Sequence, residues 1–537
     1  MFEVQNQPPP LEGYNLFTGD PVLREAVARE GADWAQGRLT SLGGELGLPE
    51  TIALGFAANS NPPQLKAFDR FGHRLDEVEF HPAWHALMTL ALKAGLHSSP
   101  WADPKPGAHV LRAAGCYMAT QIESGIYCPL AMTYGSVPTL RQNRAVAKEW
   151  LPRIFSHYYD PHFRPAREKT SALIGMGMTE NQGGSDLRTN VTRAEPAGDG
   201  SFRLYGHKWF MSAPMCDAFL ILANAPGGLS CFLMSRWTPD GERNAVHINR
   251  LKDKLGNKSN ASSEVEFDGA YAELIGEEGR GIPTIIEMSN YTRLDCAIGS
   301  SGLMRQAVAQ AVHHAMHRVA FQKKLVDQPL MTNVLADLAL ESEAAAVLTF
   351  RLARAYDESD EAAQVFRRVV TPAAKFWICR RALAVTGEAM EVLGGSGYIE
   401  DSIMPRLYRE APVNSIWEGS GNVMCLDVLR ALDRTPGAAE VLAAEFDIGA
   451  EPRVQPFLDR LAERLGAPDR RDEAQARALV RDLILALQAT LLVRHAPPEV
   501  ADAFCASRLV AGAGAAFGLL PHGVDAAAIV ARAAPSN

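Results

Sequence analysis

Three short segments combine residue types that could hold or transform a small organic ligand. The first is Gly175-Met176-Gly177-Met178-Thr179-Glu180-Asn181-Gln182-Gly183-Gly184-Ser185-Asp186, which mixes glycines with hydroxyls and carboxylates. Glycine lets backbone amides approach a ligand closely, and Thr179 and Ser185 add hydroxyl donors. The spacing is not that of a dinucleotide loop, because Gly175-x-Gly177 is followed by Glu180 where that fingerprint needs glycine. The same residues also suit a turn that binds nothing. The second segment, Gly206-His207-Lys208-Trp209-Phe210-Met211-Ser212, ends a strand with two aromatics and a hydroxyl. Trp209 and Phe210 suit the face of a flat ring system with Ser212 bonding to it, and equally suit a packed sheet interior. The third, Asn414-Ser415-Ile416-Trp417-Glu418-Gly419-Ser420-Gly421-Asn422, sets a lone carboxylate between apolar residues and a glycine-rich bend. A Glu418 that loses solvation there has a raised pKa, in the range useful for proton abstraction. Its other readings are a cap on the helix that begins near Asn422, or a partner for Arg406, Arg409 or Arg430.

His313 and His317 are spaced as a helical metal pair, but no acidic residue lies between them and no third ligand is evident. No metal site is expected.

The elements that must position these segments follow from pattern. The first 170 residues read as helical, broken at Pro8-Pro9-Pro10 and Asn61-Pro62-Pro63. One apolar helix covers His85 to Leu92 and another Leu111 to Ala131. From Ser171 to Tyr271 the chain is short strands and turns. Ala218–Ala223 and Leu229–Met234 form a hairpin over Pro226-Gly227-Gly228, and Glu264–Phe267 is a strand that stops at Asp268-Gly269. This block reads as a small antiparallel barrel or sandwich. Helical periodicity returns over Ser289–Val319 and Met331–Ala355. A third helix takes Thr371 as N-cap and Pro372 as its first residue, and runs to Gly394-Gly395-Ser396-Gly397. After Thr435-Pro436-Gly437 comes an Ala-rich, Arg-containing helical tail. Runs of α, β, α and again α predict an α+β fold, with domains at 1–170, 171–278, 279–434 and 435–537.

Bulk properties bound the class. The 537 residues are 47% hydrophobic and 21% charged, enough for several packed units. Eight scattered cysteines without a C-x-x-C pair predict buried thiols in a reducing compartment. Met1 to Asn6 shows no signal peptide and no apolar run suits a membrane span, so the expected location is cytoplasmic. The net charge of −9 lends no whole-molecule support to nucleic-acid binding. Basic clusters occur at Arg318, Lys323 and Lys324, and at Arg367, Arg368, Lys375, Arg380 and Arg381. From Thr435 on, ten arginines face thirteen acids. They could segregate as Arg453, Arg460 and Arg464, or as Arg470, Arg471, Arg477 and Arg481.

In this order, the three segments resemble the acyl-CoA dehydrogenase family. Lys254-Leu255-Gly256, Val265-Glu266-Phe267-Asp268, Leu274-Ile275-Gly276, Arg318-Val319-Ala320-Phe321 and Leu393-Gly394-Gly395-Ser396-Gly397-Tyr398 agree with it. The resemblance implies a helical N-terminal domain, a middle β-barrel and a C-terminal four-helix bundle, here with an extra helical domain. It implies FAD held by Met176, Gly177, Met178, Thr179, Ser185, Phe210, Met211, Ser212, Ile416, Trp417, Gly419 and Asn422, with Arg318 on the pyrophosphate of a neighbouring subunit. Glu418 becomes the catalytic base, since Thr292 occupies the alternative base position. Gln322, where the family has glycine, and Glu391, where it has a flavin-contacting glutamine, are departures.

Asn6-Gln7-Pro8, Phe80-His81-Pro82-Ala83-Trp84-His85, Leu251-Lys252-Asp253-Lys254-Leu255-Gly256-Asn257 and the long tail resemble the AidB-type branch. That branch implies a homotetrameric FAD protein of the adaptive response to DNA alkylation. It binds double-stranded DNA and has at most weak, isovaleryl-CoA-like dehydrogenase activity. An ordinary dehydrogenase of short or branched acyl-CoA and a flavin-bearing scaffold are the alternatives.

Overall fold

A computed structural model describes residues 3–449, 451–467, 472–510 and 516–536. The chain divides into two compact units, one of residues 53–104 and 122–292, the other of residues 1–52, 105–121 and 293–537.

The first unit holds all the long strands. β1 (Gln64–Phe68) and β2 (Arg74–Glu79) form an antiparallel hairpin in a region expected to be helical. Its turn is closed by the Asp69 carboxylate, which accepts from the amides of Phe71 at 2.8 Å and His73 at 2.9 Å. The larger sheet comprises β3 (Ile174–Gly177), β4 (Arg193–Pro196), β5 (Phe202–Ser212), β6 (Ala218–Ala225), β7 (Gly228–Ser235), β8 (Val246–Leu251) and β9 (Ser262–Ile275). Pairing runs β4–β5–β9–β7–β6 and returns to β4, which closes a barrel; β3 adds to β6 and β8 to β9. β3 and β4 run parallel to β6, so the expected all-antiparallel pattern is corrected to a mixed one. The β6–β7 hairpin forms as expected. Leu220, Ile221 and Leu222 in β6 and Phe232, Leu233 and Met234 in β7 are all buried, on both faces of the strands, which explains why both read as apolar without alternation. β9 does not stop at Asp268-Gly269. Gly269 takes φ +82°, the register against β5 shifts opposite Leu204 and Tyr205, and the strand continues to Ile275. A turn dipeptide here serves as a bulge.

The helix expected over Leu111–Ala131 is two helices, Ala108–Ile122 and Tyr127–Leu140, separated by a 3₁₀ turn at Ser124–Ile126. Glu123 causes the break: its carboxylate accepts from the Gly125 amide at 3.0 Å and from Ser259 Oγ at 2.9 Å. A Cβ on Gly125 would lie 1.8 Å from Ser259 Oγ, so glycine is required.

The second unit contains the helix Gly281–His317 from Arg293 onward, with Pro329–Asp357, Glu361–Val392, Met404–Asn414 and Gly421–Arg434. The expectation of a helix start at Thr371 is wrong. Asp360 is the N-cap, accepting from the Ala363 amide at 2.9 Å, and Pro372 lies inside the helix. An internal proline costs about 3 kcal/mol; burial of Val369, Val370, Ala373 and Ala374 around it outweighs that cost. Arg112 and Asp295, both almost fully buried, pair through two contacts of 2.6 and 2.8 Å and join their helices.

The tail helices Ala438–Phe446, Gln455–Gly466, Ala476–His495, Pro498–Arg508 and Ala526–Ala533 belong to this same unit. Ala476–His495 packs on Pro329–Asp357, Glu361–Val392 and Gly421–Arg434. Buried Arg508 pairs with Asp337 and Glu341, and Arg532 with Glu25 and Glu343. Asp337, Glu341 and Glu343 are buried, where a charge needs a partner, whereas Glu25 is exposed. All eight cysteines are buried free thiols, as expected. Among the described residues no helix is long and apolar enough to cross a membrane.

Candidate functional site

In the barrel unit, Gly175 and Gly177 lie in β3 and not in a loop. A Cβ on Gly175 would sit 2.5 Å from the Phe219 ring, and one on Gly177 2.8 Å from Ile221 Cδ1. Packing against β6 therefore selects both glycines. The loop proper starts at Met178, and it is pinned at three consecutive residues. The Asn190 side-chain amide donates to Met178 O at 3.0 Å, and the Trp209 amide donates to Thr179 O at 2.9 Å. Glu180, fully buried, takes the Lys208 ammonium at 2.7 Å. It also accepts from the Val191 amide at 2.7 Å and Thr192 Oγ1 at 2.6 Å. Burial alone would raise the Glu180 carboxyl; the Lys208 ammonium and these hydrogen bonds outweigh it and hold the carboxyl down at about 2.

Lys208 points inward from β5, and the strand bulges between Lys208 and Met211. The bulge puts two successive aromatics on the outer side, Trp209 at 36% and Phe210 at 51% exposure. Lys252 Nζ stands 3.9 Å from the Trp209 ring centre and 4.4 Å from that of Phe210. Met211, assigned above to the flavin, is fully buried, and its carbonyl accepts from Ser263 Oγ at 2.8 Å. Ser212 Oγ lies 3.2 Å from Ser262 Oγ, and Ser185 is exposed. Partly exposed ring faces beside a pinned loop and a hydroxyl fit a flat conjugated ring such as a flavin.

In the second unit, Glu418 lies in a turn between Met404–Asn414 and Gly421–Arg434. Its φ is +58°, followed by Gly419 at +104°. A non-glycine residue there is strained, and such strain clusters at functional sites. Cations hold three successive carbonyls of this turn. Fully buried Lys375 donates to Trp417 O at 2.7 Å and to Gly419 O. Arg293 Nε donates to Glu418 O at 3.1 Å, and its Nη1 pairs with Asp427 at 3.1 Å. Trp417 Nε1 donates to Asn414 Oδ1 at 3.1 Å. Ser420 is the N-cap residue of Gly421–Arg434 and makes no side-chain capping bond. Arg409 pairs with Glu400. Ile416 is 66% exposed, and Asn422 accepts from Arg477 Nε of the tail at 2.8 Å. Glu418→Gly should stabilise the protein by about 1 kcal/mol by removing the left-handed strain. A urea midpoint at or below that of Glu418→Gln would contradict this.

Arg318 donates to Asn6 O, and Asn6 in turn bonds the Val319 amide at 2.8 Å. The following turn has φ +53° at Phe321 and +65° at Gln322, a type I′-like pair in which glycine would be relaxed. His313 Nε2 lies 2.8 Å from Pro9 O, and His317 Nδ1 lies 2.8 Å from His313 O. Among the described residues no group of three could hold a metal.

The second basic cluster is not a surface patch. Lys375 is internal, Arg368 pairs with Asp427, Arg381 with Glu341, and Arg367 donates to the carbonyls of Ala355 and Glu358. In the tail, Arg453 pairs with Glu451 and Asp502, Arg464 and Arg481 share Asp482, and Arg460 donates to Leu509 O. Arg470 and Arg471 lie outside the described residues. Sequence reasoning missed the positioning roles of Glu180, Lys208, Arg293 and Lys375. Lys208 alone left a signal, as a cation at an inward position of β5.

The barrel, the helical bundle and the glutamate turn define a flavoprotein of the acyl-CoA dehydrogenase type. Residues 6–161 match the adaptive response protein AidB N-terminal domain, 175–270 the acyl-CoA dehydrogenase middle domain, and 279–432 its C-terminal domain. AidB of Escherichia coli (strain K12) is 48% identical over 94% of this chain and 93% of its own length. Acyl-CoA dehydrogenase family member 11 of Caenorhabditis elegans is 32% identical over 78% of this chain and 70% of its own. The crystal structure of Caenorhabditis elegans ACDH-11 in complex with C11-CoA superposes with a TM-score of 0.87 at 27% identity. It covers 95% of this chain and 94% of that one. The chain belongs to the FAD-dependent acyl-CoA dehydrogenase family, in its AidB-type branch.

Proposed function

We propose that this chain binds FAD and uses Glu418 to take the α-proton of an acyl-CoA thioester. The observation that carries this reading is a glutamate held in a strained turn whose carbonyls, at Trp417, Glu418 and Gly419, are bonded by the two cations Lys375 and Arg293. FAD, when bound, supplies the acceptor for the hydride that leaves the β-carbon as Glu418 takes the proton. Met176, Gly177, Met178, Thr179, Ser185, Phe210, Met211 and Ser212 are assigned to the flavin from the barrel unit. Ile416, Trp417, Gly419 and Asn422 are assigned to it from the base-bearing turn. The Glu418 amide is assigned to polarise the thioester carbonyl, a contribution of about 3–4 kcal/mol for such donors. Arg318 is assigned to the pyrophosphate of a neighbouring subunit in a homotetramer. ACDH-11 in complex with C11-CoA supports an acyl-CoA ligand.

The match to the adaptive response protein AidB N-terminal domain supports an adaptive-response role; alkylated DNA as its trigger and double-stranded DNA as a cytoplasmic partner are what the sequence resemblance implies. The internal pairing of Arg453, Arg464 and Arg481 leaves the tail less suited to carry phosphate contacts, so dehydrogenase chemistry is the reading the geometry favours.

The test is anaerobic titration of the FAD-loaded protein with butyryl-CoA, isovaleryl-CoA and an eleven-carbon acyl-CoA, following the visible flavin absorbance. Bleaching supports the proposal. An unchanged flavin with FAD still stoichiometric sinks it for those acyl chains.

A further inference from the structure

We propose that Lys375 is the positioning residue of this site: its buried ammonium, bonded to the carbonyls on both sides of Glu418, holds the base-bearing turn in its left-handed conformation. The inference rests on the reading of Glu418 as base for its functional meaning, but its structural content stands apart from it. Lys375 lies inside the helix Glu361–Val392 and is 0% exposed, with Ala373, Ala374 and Ile378 equally buried around it. An ammonium in such a place is costly unless its donors are used. Two of them go to Trp417 O and Gly419 O, which are 42 and 44 residues away in sequence.

Carbonyls separated by one residue meet one ammonium only where the chain turns back on itself. The positive φ at Glu418 and at Gly419 provides that turn. Without the cation, two part-buried carbonyls lose their donor, which favours a flip of the peptide to relieve Glu418. Arg293 takes the remaining carbonyl, that of Glu418, so the peptide groups on both sides of the base residue are fixed. The Cys296 thiol reports the same proximity: burial pushes it up, with Lys375 opposing and Glu418 adding. A side chain needed only to fill space here would be apolar. The charge is explained by the two carbonyls of the turn that it bonds.

The test uses the FAD-loaded full chain with Lys375→Met and Lys375→Gln, read by hydrogen–deuterium exchange of the segment 415–422. Lys375→Met is expected to exchange there roughly 10- to 100-fold faster, the equivalent of losing charge-assisted hydrogen bonds. The rest of the Glu361–Val392 helix should stay protected. Lys375→Gln, shorter and neutral, should fall between. If acyl-CoA bleaches the wild-type flavin, Lys375→Met should lower kcat by about tenfold or more with KM within about twofold, since the base is displaced while the ligand contacts remain. Exchange in the turn equal to wild type overturns the proposal, as does acceleration spread along the whole helix. Should Lys375→Met fail to fold, Lys375→Gln decides, and wild-type exchange in that variant also overturns it. A wild-type flavin that no acyl-CoA bleaches would remove the dehydrogenase reading and leave the exchange result to decide Lys375.

Discussion

Glu418→Gln is expected to slow bleaching of the flavin by an acyl-CoA roughly 10²–10⁴-fold, the range typical of a lost general base. The amide is nearly isosteric and keeps the backbone contacts of the turn, because Arg293 and Lys375 bond it through the carbonyls of Trp417, Glu418 and Gly419. FAD content and thermal midpoint should therefore match wild type. The loss belongs in the proton-transfer step: kcat falls and the acyl-CoA dissociation constant changes little. Stopped-flow reduction beside an equilibrium binding titration separates the two. Equal bleaching rates in both proteins would remove Glu418 from the chemistry.

Lys208→Met attacks the barrel-unit loop assigned to the flavin. It leaves Glu180 buried inside the barrel without its counter-charge, a class of change that costs roughly 3–5 kcal/mol. The damage should centre on the Met178–Glu180 loop, whose side-chain anchor is Glu180. Loss of FAD from the variant and a depressed thermal midpoint are the expected readouts. The pH dependence has a defined sign. Glu180 titrates at about 2 in the folded protein, below its ordinary value of 4.5. Its contribution is thus fully present above pH 4.5 and lost as pH falls toward 2. In Lys208→Met the carboxyl should rise instead, because burial then acts with less opposition. The variant should accordingly be less handicapped near pH 5 than at pH 7. A handicap that is independent of pH would show that packing, not the ion pair, anchors the loop.

Several elements were legible before any coordinates. The β6–β7 hairpin was marked by two apolar runs around Pro226-Gly227-Gly228, and the base-bearing bend by Glu418 between Trp417 and Gly419. Both depend on near neighbours in sequence, where turn chemistry and periodicity act directly. Three misreadings share the opposite cause. Asp268-Gly269 carries a turn signal, yet pairing with β5 keeps β9 running through it. Pro372 looks like a helix start, yet burial of its surroundings carries the helix past it. β1 alternates in exposure but sits beside prolines in a helical region, and pairing with β2 makes both strands.

What the sequence determined by itself was the kind and order of parts: helices, a barrel, a bundle, and a glutamate in a glycine-rich bend. Composition and local pattern suffice for that, because each part is encoded over a few consecutive turns of chain. Only the tertiary structure decided what the charged residues do. Lys208 meets Glu180 across 28 positions, and Lys375 meets the Glu418 turn across more than 40. Arg453 and Arg464 of the tail likewise find carboxylates of their own chain, where the sequence left open a face for phosphates. No local pattern encodes a pairing at such separation. It exists because burial makes an unpaired charge costly, and the fold alone decides which opposite charge or carbonyl lies within reach.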